Sequence, residues 1–185
     1  MSYKLIPFLS LILFLSYSFP LFAQENEPDF IGEAYLLNEQ GTCKQLDKEV
    51  AAYTQGMSWK ANSWSALSLE IAGGKAQTRI AQKRVINLIV KAADNNSDPL
   101  SIITIYRFRA KKKKRITVLN EDNSGTLMKS RTHTKNQLSF VGKKYGNSSY
   151  LLTINNIVPG EYGIKVVNPN NVDEKNAIIS CFGID

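Results

Sequence analysis

Short segments in which apolar and polar residues alternate recur along much of this chain. The clearest segment is 85–91, where Ile86, Leu88 and Val90 fall on one face of an extended backbone. Clusters of Gly, Asn, Asp and Pro separate such segments, and no stretch shows a convincing helical period. The pattern therefore predicts a mostly β protein. The predicted strands cover residues 32–37, 43–46, 66–71, 77–81, 85–91, 101–108, 115–119, 138–141, 150–154, 162–167 and 177–184.

The predicted strand at 101–108 carries apolar residues on both of its faces. Tyr106 and Phe108 share one face, whereas Ile103 and Ile105 point the other way. This arrangement predicts a central strand that is buried on both sides. Many short strands with turns between them are typical of a β-sandwich or a closed barrel. We predict an all-β fold, a single β-sandwich of the immunoglobulin or fibronectin kind.

A Pro-Gly turn precedes the predicted strand at 162–167. Pro159 presets one turn dihedral angle, and Gly160 supplies a positive φ at the next position. In immunoglobulin-like sandwiches, a tyrosine near such a strand start can hydrogen-bond back to the upstream backbone. We therefore expect Tyr162 to form a tyrosine corner.

Residues 47–65 show no clean period and predict a long connection or an irregular sheet edge. Two tryptophans, Trp59 and Trp64, lie in this segment. Aromatic side chains on a loop can form a platform for sugar rings, since their faces are apolar and their edges polar. We regard them as candidate binding residues. The alternative is that they cap one end of the core.

The N-terminus has the parts of a secretory signal peptide. One positive charge at Lys4 precedes an apolar run over residues 5–22, and Ala23 stands where polarity rises abruptly. An uncleaved membrane anchor is the alternative, but two prolines and three serines in the run argue against a spanning helix. We predict a signal peptide over 1–23 and one β-sandwich domain over 24–185. The mature chain would have no transmembrane segment and would work in the periplasm, at the cell surface or outside the cell.

The chain is basic, with a net charge of +7. This balance favours an anionic partner such as an acidic glycan, a lipid headgroup or an acidic protein. Nucleic acid is not expected as a partner, because export separates the protein from it. Cofactors are not expected either.

The positive charge is concentrated in one stretch, where seven of the nine residues from 107 to 115 are cationic. If the strands on either side pair, then Lys111, Lys112, Lys113 and Lys114 lie at the tip of a hairpin. There they would form a docking site for an anionic partner. The alternative is a solvated turn whose lysines keep sheet edges from pairing.

The chain has two cysteines, Cys43 and Cys181. In an oxidising compartment such a pair often forms one disulfide, which is the pairing we predict here. It would join the beginning of the domain to its last strand. The alternative is two free thiols that act as small apolar residues.

Sites for catalysis or metal binding are not evident in the sequence. His133 is the one histidine, so a multi-histidine zinc site is excluded, and no Gly-x-Ser-x-Gly turn offers a nucleophile to it. We therefore predict no catalytic residues, no metal site and no enzyme activity. The alternative is a small glycan-acting hydrolase with a pair of surface carboxylates. Its candidate residues are Glu70, Asp94, Asp98, Glu121 and Glu161.

Several segments of the second half resemble a group of small exported bacterial β proteins of uncharacterised function. These segments are 86–96, Asp-Pro-Leu-Ser at 98–101, Lys-Lys-Tyr-Gly-Asn-Ser-Ser-Tyr at 143–150, Pro-Gly-Glu-Tyr-Gly at 159–163 and Phe-Gly-Ile-Asp at 182–185. The resemblance implies export and a compact domain, and it implies no mechanism. We predict a non-catalytic binding or envelope-associated module with an anionic partner.

Overall fold

The computed structural model describes residues 26–58, 63–125, 128–133, 136–173 and 175–185. The predicted signal peptide, 1–23, lies outside these residues. Most of the described chain is in strands, with one short helix. The elements are β1 (Ala34–Leu37), β2 (Cys43–Gln45), β3 (Asp47–Ser58), β4 (Ser63–Ala72), β5 (Arg79–Ile80), β6 (Val85–Lys91), α1 (Pro99–Ile102), β7 (Ile103–Lys111), β8 (Lys114–Gly125), β9 (Met128–His133), β10 (Gln137–Leu138), β11 (Val141–Tyr145), β12 (Ser149–Asn155), β13 (Gly160–Val166) and β14 (Asn176–Ile184).

The larger of the two sheets closes into a barrel. Its strands pair in the order β7-β13-β14-β3-β4-β8, and pairing between β8 and β7 completes a ring of six antiparallel strands. The closing contact sets Arg109 opposite Ile116 and Lys111 opposite Lys114. The all-β prediction is confirmed. The structure differs from an open immunoglobulin-like sandwich because this sheet pairs with itself.

The second sheet has the order β11-β12-β6-β1-β2 and covers one side of the barrel. The two sheets share a core in which the inward face of β6 meets the outer faces of β13 and β14. As the alternation at 85–91 predicted, Ile86, Leu88 and Val90 all point into this core. The barrel residues that meet them include Ile103, Ile105, Tyr162, Ile164, Phe182 and Ile184.

A second core fills the barrel itself. Its members include Ala51, Leu69, Ile71, Tyr106, Phe108, Ile179 and Cys181. Strand β7 therefore supplies residues to both cores, since Ile103 and Ile105 belong to the shared core. The prediction that this strand is buried on both sides is confirmed.

The prediction of a long connection or irregular edge at 47–65 is wrong. Residues 47–58 and 63–72 form the β3–β4 hairpin, with Ala51 opposite Ile71 and Ser58 opposite Trp64. The alternation was hidden because small residues occupy both faces of β3, as at Ala51 and Ala52, and because Gly56 interrupts it.

The tyrosine corner predicted at Tyr162 is present. The Tyr162 hydroxyl donates a hydrogen bond of 2.7 Å to the carbonyl oxygen of Val158, four residues upstream. The ring is fully buried and stacks on Phe182, with 5.5 Å between ring centroids. The turn before β13 is therefore fixed to the shared core.

The predicted disulfide between Cys43 and Cys181 is absent, and both thiols are free. Cys43 lies opposite Leu37 in the second sheet, whereas the neighbouring Leu36 packs against the shared core. Cys43 is therefore on the outer face of that sheet, because cross-strand partners share a face. Cys181 points into the barrel. Packed sheets lie about 10 Å apart, which exceeds the Cα separation of roughly 7 Å that a disulfide can span.

Candidate functional site

The β7–β8 hairpin presents the lysine run at one end of the barrel. Lys111 and Lys114 are cross-strand partners, and Lys112 and Lys113 form the two-residue turn between them. We call these four residues the basic turn. Lys111, Lys112 and Lys113 are exposed to solvent. Among the described residues, none of these three has an acidic partner.

Not every cation of the stretch 107–115 is available to a partner. The Lys114 ammonium contacts a carboxylate oxygen of Glu70 at 2.5 Å. Arg115 is only 1% exposed, and its guanidinium contacts Glu49 at 2.5 Å. The same guanidinium also donates to the carbonyl oxygens of Ala72 and Gly73. Arg115 therefore stabilises this end of the barrel.

The basic turn is held in place by the turn that follows β4. The backbone N–H of Gly73 donates a hydrogen bond of 2.9 Å to the carbonyl oxygen of Lys113. Gly74 lies so close that a Cβ atom there would be 2.7 Å from the carbonyl oxygen of Lys111 and 3.1 Å from that of Lys112. The lysines therefore project from a supported backbone. This contact has no signal in the sequence, because the two turns are about forty residues apart.

Two further cations lie beside the basic turn. Lys75 directly follows the supporting Gly73-Gly74 turn, and Arg109 is exposed on β7. Neither residue forms an ion pair with any other described residue. Lys75 could not have been assigned to this site from sequence, because only the contact between the two turns brings it there.

The structure does not bring the tryptophans to the basic turn. Trp59 lies outside the described residues. Trp64 is in β4, paired with Ser58 and Asn123. Ala72, at the other end of β4, is the residue that pairs with Lys114. At about 3.3 Å per residue, the backbone of Trp64 is roughly 26 Å from that end.

The carboxylates proposed for hydrolysis are scattered and hold local structure. Glu70 pairs with Lys114, and Asp94 accepts a hydrogen bond from the backbone of Asn96. Asp98 caps α1 by accepting from Leu100. None of these acids forms a pair with another one.

Glu161 and Glu121 are the other two carboxylates proposed for hydrolysis. Glu161 is buried, where it accepts hydrogen bonds from the backbone of Ala76 and from Arg79. The side chain of Glu121 lies outside the described part of the chain, as does that of His133. The backbone of His133 is in β9. The described residues contain no group of three or more His, Cys, Asp or Glu side chains that could hold a metal ion.

Two acids outside the predicted set, Asp47 and Glu49, share a cleft. A cleft of about 380 Å³ beside the basic turn is lined by Asp47 and Glu49 as well as by Lys75 and Arg115. Both carboxylates are engaged. Asp47 accepts hydrogen bonds from the backbone and hydroxyl of Thr78, at 2.7 and 2.8 Å, and Glu49 pairs with Arg115.

A second cleft, of about 600 Å³, lies away from the basic turn. Its apolar part includes Val50 and Ile178, which are cross-strand partners and about half exposed. The loop between β13 and β14 lines the other side and contributes Asn171 and Asp173. Asp173 already accepts hydrogen bonds from Lys175 and Asn176. This cleft therefore offers no pair of free carboxylates among the described residues.

No protein-family model matches this chain, and no curated protein matches it significantly. In the part of the chain that the structure describes, no helix has the length and apolarity needed to cross a membrane. The resemblance to small exported bacterial proteins stays a prediction.

Proposed function

We propose that this protein is a non-catalytic binding module whose basic turn docks an anionic partner. The observation that carries the proposal is the supported turn that presents Lys111, Lys112 and Lys113 without an acidic partner among the described residues. A fixed cluster of positive charge attracts and orients an anion with little loss of conformational freedom on binding.

The distribution of charge supports this proposal over a purely solvated turn. Like charges directly opposite each other in a hairpin destabilise it. At the pair formed by Lys111 and Lys114, Glu70 neutralises only one of the two ammonium groups. An anion bound at the turn would relieve the remaining repulsion. Edge protection alone would not need lysines here, because Lys111 and Lys114 are already paired within a closed ring.

The proposed setting of this activity is outside the cytoplasm. The basic start, apolar run and small residue at 1–23 favour export, and the net charge of +7 favours an anionic component of the envelope. Among such components we favour an acidic glycan. We further propose that the second sheet and the barrel wall facing it form a sandwich-like pair, which the shared core and the Tyr162 corner support.

The test compares binding of two variants to an anionic resin as salt concentration rises. The variant with Lys111, Lys112 and Lys113 all changed to Ser should elute at clearly lower salt than the unaltered protein. The control changes Lys143 and Lys144 to Ser, since both are exposed on β11 in the other sheet. Equal losses in both variants would show a general charge effect and would contradict a specific site.

A glycan-acting hydrolase is the second candidate, and the cleft beside the basic turn favours Asp47 and Glu49 as its acids. They lie two residues apart on β3, so their side chains share a face. Their bonds to Thr78 and Arg115 suit structural carboxylates better than a general acid. If Asp47→Asn or Glu49→Gln abolished turnover of an acidic glycan while leaving its binding intact, the hydrolase would be preferred.

A further inference from the structure

Two turns from separate parts of the chain meet at one end of the barrel, and their exposed lysines have no ion-pair partner among the described residues. The backbone N–H of Gly73 donates a hydrogen bond to the carbonyl oxygen of Lys113, and Lys75 lies two residues after Gly73 in the sequence. Lys111 and Lys112 lie against Gly74 through their carbonyl oxygens. Four lysines, Lys75, Lys111, Lys112 and Lys113, therefore lie on two adjoining turns whose backbones are held together by hydrogen bonding and close packing.

The residue type at this surface indicates the kind of anion. An arginine presents a planar fork that matches a carboxylate, whereas a lysine presents a compact charge with three rotatable donors. Lys75, Lys111, Lys112 and Lys113 are the exposed cations of the two turns; Arg115 is buried against Glu49, and the exposed Arg109 lies on β7, two residues before Lys111. Such a cluster suits an anion of high charge density that accepts from several directions. A phosphomonoester carries about −1.5 to −2 at pH 7 and offers three acceptor oxygens.

Resting on the proposed function, we infer that Lys75 and the first three lysines of the basic turn, Lys111, Lys112 and Lys113, form one site for a glycan that carries clustered phosphomonoester groups. Two such groups would balance the four lysines, whereas four carboxylates would be needed to do the same.

A membrane surface suits this site less well than a soluble or glycan-borne phosphate. Proteins that bind at a bilayer interface usually bury apolar side chains in it. The large apolar side chains that are exposed in the described chain include none from 70–76 or from 107–116. The surface around the basic turn therefore has charge but no apolar anchor.

The carboxylates near the site are already bonded to groups other than its four lysines. Glu70 pairs with Lys114, Glu49 with Arg115, Asp47 with Thr78, and Asp185 with Arg79. The hydrogen bond from Arg79 lowers the pKa of Asp185, and the charge of Lys75 lowers it further. A change in binding between pH 7.5 and 5.5 would therefore reflect protonation of the ligand, since the second pKa of its phosphate groups is about 6.

The experiment is a calorimetric titration with inorganic tripolyphosphate, with poly-glutamate as the carboxylate probe. We expect saturable binding of tripolyphosphate that weakens several-fold from pH 7.5 to 5.5. Binding of poly-glutamate should be weaker and should not change over this range, since its groups have a pKa of about 4.3. Lys75→Gln and Lys112→Gln should each weaken tripolyphosphate binding about two- to fivefold. Lys144→Gln is the matched control and should have no effect.

The outcomes separate this inference from the proposed function. Equal binding of both probes without pH dependence would overturn the phosphate assignment and leave an anion-docking turn. An effect of Lys112→Gln but not of Lys75→Gln would overturn the two-turn site. Binding to vesicles that contain phosphatidic acid, without binding to tripolyphosphate, would overturn the glycan assignment. If neither probe bound, the phosphate site and the proposed function would both fail.

Discussion

The backbone N–H of Gly73 donates a hydrogen bond of 2.9 Å to the carbonyl oxygen of Lys113. This bond fastens the β7–β8 turn to the turn that follows β4. The lysine side chains are thus carried on a backbone that is fixed from outside the hairpin. A docking site whose backbone is ordered before binding loses less entropy when the partner binds.

The contact between the two turns depends on Gly74 having no side chain. Gly74→Ala should destabilise the protein by about 1–3 kcal/mol, because its Cβ would overlap backbone oxygens that cannot move away easily. Lys113→Ala keeps the same backbone contacts and should change stability by less than about 0.5 kcal/mol. Urea unfolding of the two variants measures the difference. Equal stability of both variants would show that the turns do not support each other.

Arg115 should matter for stability and Arg109 should not. Arg115→Ala removes a buried guanidinium that contacts Glu49 and two backbone carbonyl groups, so we expect a loss of about 3 kcal/mol. Arg109 is exposed, and Arg109→Ala should stay within about 0.5 kcal/mol of the unaltered protein. Thermal unfolding followed by circular dichroism gives both values. A small effect at Arg115 would contradict its assignment as a structural residue.

Glu27 should couple stability to pH in the acid range. Burial opposes ionisation of this carboxyl group, but hydrogen bonds from Lys91 and from the turn at 147–149 outweigh it and lower its pKa from 4.5 to about 2. A carboxyl group whose pKa is lower in the folded protein stabilises the fold above its unfolded pKa. That contribution disappears as the pH falls from about 4.5 to about 2.

The corresponding measurement is the free energy of unfolding of Glu27→Gln between pH 7 and pH 2. The variant should be less stable at pH 7, by at most about 3 kcal/mol, and the difference should vanish near pH 2. Glu39→Gln is the control, since Glu39 forms only an exposed ion pair with Lys83. If the variant were less stable at pH 2 by the same amount as at pH 7, the ionised Glu27 carboxylate would not be the source of the stabilisation.

The two cysteines should differ in reactivity. Burial raises the pKa of both thiols, and Cys181 lies in the barrel core with no exposed surface. Iodoacetamide should therefore alkylate Cys43 slowly and should reach Cys181 only when the protein unfolds. Mass spectrometry after timed labelling shows the order. A native protein with neither cysteine alkylated, and a mass lower by two hydrogen atoms, would instead indicate a disulfide.

Local patterns predicted the local features of this fold well. The face of β6 that carries Ile86, Leu88 and Val90 follows from alternation alone, and the Tyr162 corner follows from a short turn motif. Closure of the barrel was not predictable in the same way, since it requires pairing between distant strands such as β3 and β14. Strand β9 was not predicted, because its sequence is polar after Met128 and shows no apolar alternation.

The candidate site was predictable in its charge but not in its architecture. The run at 107–115 located the basic turn. Two cations of this run are not free, because Glu70 pairs with Lys114 and Glu49 pairs with Arg115. These acids lie 44 and 66 residues away from their partners in the sequence. The contact of Gly73 with Lys113, which brings Lys75 to the site, has no local signal either. Such features arise from tertiary structure and are not encoded in any short pattern.

The most direct test of the central claim is the unfolding temperature of the protein as a soluble polyanion is added. A ligand that binds only the folded protein raises this temperature, and the rise grows with the logarithm of its free concentration above Kd. We predict a concentration-dependent rise for the unaltered protein and for the Lys143→Ser, Lys144→Ser control. The variant with Lys111, Lys112 and Lys113 changed to Ser should show little or none. An equal rise in all three proteins would contradict docking at the basic turn.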